Sequence, residues 1–135
     1  MASIHKDFLI DAPAADVWDA LRDFGALHTR LAPGFVTDCK LDGEARIVTF
    51  ANGTTAREML VDCDDERRRL VYAVVSERVK QHSASAQVIA EGEARCRFVW
   101  ITDVLPHEIA PYISVQMDAG GAAMQKALSR VKAAV

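Results

Sequence analysis

The residues able to do chemistry are spread thinly, and their spacing excludes more than it proposes. The four histidines, His5, His28, His82 and His107, lack the H-E-x-x-H or similar spacing that puts two metal ligands on one face of a helix, so no metal is expected. Cys39, Cys63 and Cys96 are far apart, odd in number and free of any C-x-x-C pair. They read as reduced thiols buried as small hydrophobes. Ser83 and Ser85 flank His82 closely, but no strand-to-helix elbow or oxyanion donor set accompanies them, as a nucleophile would require. Glycine-rich phosphate loops are absent as well. Neither covalent catalysis nor a cofactor is expected, which leaves acid–base chemistry or plain binding.

The frame that must position such groups is ordinary in composition. The chain has 135 residues, half of them hydrophobic and 26% charged. A domain of this size buries roughly two-thirds of the surface its unfolded chain exposes, so one domain over residues 1–135 with one core is expected. A net charge of −3 argues against nucleic acid as a partner, because phosphate binding draws on clustered Lys and Arg. The run Arg67, Arg68, Arg69 follows Asp62, Asp64, Asp65 and Glu66 and reads as a solvated turn of mixed sign. Met1 to Asp11 holds no apolar stretch of signal-peptide length, and no segment approaches the ~20 apolar residues of a membrane span. A cytoplasmic location is the expectation, and the residues carry no signal for an oligomeric state.

Along the chain, Ile4, Phe8 and Ile10 alternate with Asp7, Leu9 and Asp11, the period of a strand with one better-buried face. Pro13 suits the first turn of a helix whose apolar face is Val17, Trp18 and Leu21, with Gly25 placed to end it. A second short helix, Ala26 to Leu31, is expected before Pro33-Gly34. The period then changes to two. Turn signals at Asp42-Gly43, Asn52-Gly53, Asp64-Asp65-Glu66 and Glu91-Gly92 divide an antiparallel meander. Its strands are expected at Phe35 to Leu41, Ala45 to Ala51, Thr55 to Cys63, Arg69 to Ser76, His82 to Ala90 and Arg95 to Val104. From His107, the residues Ile109, Ile113, Met117, Gly120, Met124, Leu128 and Val131 recur every three or four positions, the pattern of a long amphipathic helix. Pro111 suits its first turn.

This α+β layout has little material to cover its sheet. One long helix and two short ones must shield six or seven strands, and a twisted sheet bending around one helix leaves a gap that is either filled or open to a ligand. Two features predict open space. Ala84 and Ala86 alternate with His82 and Val88 on the inward face of one strand, and Gly120-Gly121 interrupts the long helix, where each glycine costs about 1 kcal/mol relative to alanine. The glycine pair also admits the opposite reading, a helix pressed directly onto Phe98 or Trp100.

The order of elements resembles the helix-grip fold, and three segments agree with it. I-D-A-P-A-A-D-V-W-D-A-L-R-D-F-G, beginning at Ile10, resembles the opening of the START-related, polyketide cyclase/dehydratase-type superfamily (SRPBCC). N-G-T-T-A-R-E-M-L-V-D-C-D-D-E-R-R-R-L-V-Y, ending at Tyr72, resembles its strand-turn-strand with an R-E-x-L core. F-V-W-I-T-D-V-L-P, ending at Pro106, resembles the last strand entering the terminal helix. The resemblance covers Ile4 to Val131. It implies a curved seven-stranded antiparallel sheet around a long C-terminal helix, with two short helices after the first strand. Aromatic-polyketide cyclases, lipid carriers and hormone receptors share that fold, so it does not by itself fix a function.

Strand directions carried over from the superfamily put Phe35, Phe50, Glu58, Leu60, Tyr72, His82, Ala84, Ala86, Phe98 and Trp100 on the concave face. The terminal helix adds Ile113, Met117, Gly120 and Met124. Such a wall suits a small hydrophobic molecule, aromatic, polyketide-like or lipid-like. Glu58, Tyr72 and His82 would give it a polar end, since Glu58 resembles the acidic pocket residue of the plant hormone receptors of this superfamily, and Tyr72 and His82 match aromatic positions there. Glu58 could instead join His82 as acid and base in a cofactor-independent cyclase or dehydratase, or pair with an arginine or with His82 as a structural cluster. A third function is a protein-interaction module with a filled core, using a sheet edge or the first helices as its surface.

Overall fold

The computed structural model describes residues 2–129. Seven strands follow one another as β1 (Ser3–Ile10), β2 (Val36–Asp42), β3 (Ala45–Phe50), β4 (Thr55–Asp64), β5 (Arg69–Val75), β6 (Gln81–Ala90) and β7 (Cys96–Leu105). Each lies within one residue of its expected bounds at either end. The sheet order is β1-β7-β6-β5-β4-β3-β2 with every pair antiparallel, so the meander is closed at one side by the return of β7 to β1. Gly43, at φ +62°, takes the left-handed conformation that the tight β2–β3 turn needs.

Helix α1 (Ala14–Arg22) buries Ala14, Val17, Trp18, Ala20 and Leu21, the face its spacing predicts. The chain after it departs from expectation. Gly25 does not end α1 but sits in a 3₁₀ turn, Phe24–Ala26, followed by a π turn, Leu27–Leu31. A Cβ on Gly25 would lie 2.9 Å from Leu41 Cγ, so the glycine serves a close approach of this turn to β2. The expected second short helix is the π turn Leu27–Leu31, whose wider winding lets Leu27 and Leu31 both reach the core.

Helix α2 (Ala110–Leu128) has proline in its first turn, where a missing N–H costs nothing. It lies against β1 through a Lys6–Asp118 ion pair at 2.9 Å and a bond from Gln125 Nε2 to the Leu9 carbonyl at 2.9 Å. Val131, expected on its apolar face, lies outside the described residues. Beneath α2, Phe8 stacks on Phe98 with ring centres 5.2 Å apart, and Phe98 meets Trp100 edge-on. No helix among the described residues is long and apolar enough to cross a membrane.

Candidate functional site

Strand register decides which side chains meet. Arg46 of β3 stands opposite Glu58 of β4, which stands opposite Val74 of β5. The pairing of β5 with β6 continues this row to His82 (Ala73 faces Ser83), so Glu58 and His82 are separated by a whole strand, about 10 Å of backbone at the usual spacing. Tyr72 lies in the next inward row, opposite Ala84.

Glu58 leans toward β3, away from His82. Arg46 Nε donates to Glu58 Oε1 at 2.8 Å, Nη2 forms an ion pair with the same oxygen at 2.8 Å, and Nη1 donates to the Phe24 carbonyl at 3.2 Å. The guanidinium is sandwiched by aromatic faces, 4.0 Å from the Phe24 ring centre and 5.4 Å from that of Tyr72. Arg46 and Glu58 are only 4% and 6% exposed, and a buried charge without such a partner would be costly. Of the alternatives for Glu58, pairing with an arginine is the geometry observed.

Tyr72 and Trp100 lie on strands that flank β6, yet Trp100 Nε1 donates to the Tyr72 hydroxyl at 3.1 Å. Their side chains meet over Ala84 and Ala86, which stand opposite Tyr72 and Trp100. The two alanines therefore make room for an aromatic bridge, and the expectation that they widen the main cavity is corrected, since neither lines it and only Ala86 borders the smaller chamber. Burial drives the Tyr72 hydroxyl well above its ordinary 10, with the Glu58 charge adding to the effect. Its oxygen accepts from the indole, which leaves its own proton free to donate. The His82 imidazole makes no hydrogen bond with the described residues, and burial lowers its pKa from 6.5, favouring the neutral form.

A cavity of about 710 Å³ lies between the concave face and the first half of α2. Of the expected wall residues, Phe35, Phe50, Glu58, Tyr72, His82, Trp100, Ile113 and Met117 line it. Ala86, Phe98 and Met124 instead line a separate chamber of about 50 Å³ toward α1. Leu60, Ala84 and Gly120 reach neither. Leu60 packs on the core beside a bulge in β4. A Cβ on Gly120 would sit 3.2 Å from both Phe35 Cε2 and Trp100 Cη2, so this glycine closes space, as the packing alternative required.

Several wall residues went unread in the sequence. Val74 and Thr102 line the main cavity and continue the alternation of Tyr72 and Trp100, a signal that was available. Tyr112 and Gln116 belong to the same helix face region as Ile113. Arg46 was missed because an arginine on an alternating strand reads as solvent-facing. Among the described residues no group of three His, Cys, Asp or Glu is close enough to hold a metal ion.

Residues 1–135 match the family described as polyketide cyclase/dehydrase and lipid transport. The chain belongs to that family. Three solved structures share its fold. A Thermobifida fusca protein is 31% identical, with 95% of this chain and 91% of that one covered and a TM-score of 0.76. A START superfamily protein of Mycobacterium smegmatis is 10% identical, with 95% and 97% covered and a TM-score of 0.77. Norcoclaurine synthase of Thalictrum flavum is 21% identical, with 92% and 91% covered and a TM-score of 0.72. No curated protein matches the chain in sequence. As a family member, the protein has a fold that supports a ligand-binding or cyclase role.

Proposed function

We propose that the protein binds a small, mainly apolar molecule in the cavity between its sheet and α2. The observation that carries this reading is the cavity itself. At about 710 Å³ it falls inside the roughly 300–1,000 Å³ range of small-molecule sites, and its walls combine aromatic and aliphatic side chains with polar ones, Arg78 and Glu108 among them. Both Arg46 contacts with Glu58 fall on Oε1, so Oε2 is the oxygen offered to a ligand, and the Tyr72 hydroxyl on the same wall can donate. That combination suits a hydroxyl or carbonyl group at one end of an apolar body. The fold is known to accommodate aromatic molecules, since norcoclaurine synthase has been crystallised with dopamine and hydroxybenzaldehyde. A filled core, the premise of the interaction-module alternative, is not supported by a void of this size.

The test is thermal stabilisation by aromatic polyketides, fatty acids and sterols. A ligand at a hundredfold its Kd adds about 2.7 kcal/mol to folding stability, a shift easily read. Ile113→Trp, placed at the cavity wall, should abolish the shift while the protein remains folded. Absence of stabilisation by every class would overturn the reading.

A second reading, a cyclase or dehydratase, is favoured by one observation: His82 presents a neutral, unbonded imidazole to the cavity, the form a general base requires. Glu58, tied to Arg46, is not its direct partner. On a substrate that the protein turns over, His82→Gln should lower kcat about a hundredfold or more; undiminished kcat would end this role.

A further inference from the structure

The rim of the main cavity carries charged side chains to which the reading above gives no role. Arg78, on the turn between β5 and β6, and Glu108, in the 3₁₀ turn His107–Ile109, both line the cavity while exposed to solvent. We infer that this rim is a second polar subsite, where Arg78 takes the carboxylate of an organic acid whose apolar body lies in the cavity. The inference rests on the ligand-binding reading above and specifies the head group of the ligand.

Backbone pairing assembles the rim. The β6–β7 ladder ends with Gln81 opposite Leu105, and Lys80 N–H donates to the Leu105 carbonyl at 2.9 Å. The chain entering β6 and the chain leaving β7 therefore run side by side, which brings Arg78 and Glu108 to the same side of the cavity. The turn that carries Arg78 is held by its own bonds, from Arg78 N–H to Ser76 Oγ at 3.2 Å and from Val79 N–H to the Ser76 carbonyl at 3.4 Å. Its backbone is set before a ligand arrives, which lowers the cost of binding one.

The Arg78 guanidinium is uncommitted. Elsewhere on the surface Arg22, Arg30, Arg57, Arg67, Arg95 and Arg97 each hold a carboxylate. Arg78 enters no ion pair among the described residues, with Glu108 or with any other carboxylate. Its planar fork matches a carboxylate through two parallel hydrogen bonds. Glu58 fixes which way round an acid lies. Its arginine is already bound to it, so a carboxylate brought to that wall would meet a like charge and lose its hydration. At the exposed rim the same carboxylate keeps part of its water. Glu108 opposes an anion there and disfavours a doubly charged head such as a phosphate. Glu77 and Lys80, on the same turn, carry opposite charges and do not line the cavity.

The probes are 2-naphthylacetic acid, 2-(2-naphthyl)ethanol and 2-(2-naphthyl)ethylamine, one aromatic body with an anionic, a neutral and a cationic head at about pH 7.5. Their binding is measured by calorimetry to the wild type, Arg78→Gln, Arg78→Lys and Glu108→Gln, all changes at exposed positions. The wild type should bind the acid about fivefold more tightly than the alcohol, the upper range for an ion pair at an exposed position. Arg78→Gln should bring the two affinities together, Arg78→Lys should keep part of the preference, and Glu108→Gln should raise it by about twofold. Equal affinity of the wild type for acid and alcohol, a preference for the acid that survives Arg78→Gln, or tighter binding of the amine than of the acid would each overturn the subsite while leaving ligand binding intact. Failure of all three probes to bind any of the folded proteins would count against the cavity reading itself and remove the inference with it.

Discussion

Arg46 and Glu58 are buried opposite charges, each satisfied chiefly by the other. Breaking such a pair from one side leaves the other charge buried alone, at a typical cost of 3–5 kcal/mol, whereas replacing both by apolar groups is often neutral. Glu58→Gln should therefore lower unfolding stability by about 3 kcal/mol, and the double change Arg46→Met with Glu58→Leu should recover most of it, as urea denaturation would show. Equal losses in the single and double variants would mean the pair contributes through shape alone. His82 supplies a pH dependence of definite sign. Its folded pKa lies below 6.5 because burial disfavours the imidazolium, so the unfolded chain takes up the proton first. The contribution is present in full above pH 6.5 and is lost as pH falls through the folded value. Between pH 7.5 and pH 5.5 the urea midpoint of the wild type should drop further than that of His82→Gln, a comparison in which the surface carboxylates cancel.

The long helix shows how an element is placed by what it lacks. A Cβ on Gly121 would stand 3.0 Å from Phe8 Cε1, and Phe8 cannot retreat, because it is stacked on the fully buried Phe98. Alanine at this position would gain about 1 kcal/mol of helix propensity and lose about 1–3 kcal/mol to overpacking. Gly121→Ala should thus be destabilised by about 1 kcal/mol on balance, measured by chemical denaturation; a stabilised variant would show that α2 is not held against β1 here. The strands were legible to within a residue because alternation and left-handed turn residues are local signals that tertiary packing did not override. The second short helix was legible in place, Leu27–Leu31 against the expected Ala26 to Leu31, but not in kind, since a π turn after a 3₁₀ turn has no period of its own. At the site, small residues marked where volume was missing on β6 but not what would fill it. Only the register of three strands reveals that Tyr72 and Trp100 do so, and only the fold brings Arg46 inward.

Seen as a whole, the molecule is held along one side and open along the other. Lys6–Asp118, Gln125 on the Leu9 carbonyl and Phe8 on Gly121 fasten the middle and end of α2 to β1. The first half of the helix instead overhangs the main cavity, which is walled by Ile109, Tyr112, Ile113, Gln116 and Met117. Across that gap a hydrogen bond runs from Asn52 Nδ2 to the Tyr112 hydroxyl, long at 3.4 Å and exposed. Local opening follows sparse packing and exposed bonds, so the first turns of α2 should exchange their amide hydrogens faster than the later ones. A ligand filling the cavity supplies the missing contacts to that half alone. Hydrogen exchange with and without a bound ligand should then show protection concentrated from Ile113 to Met117, with little change beyond Gly121. Protection spread evenly along α2, or confined to its second half, would place the ligand somewhere other than between the helix and the sheet.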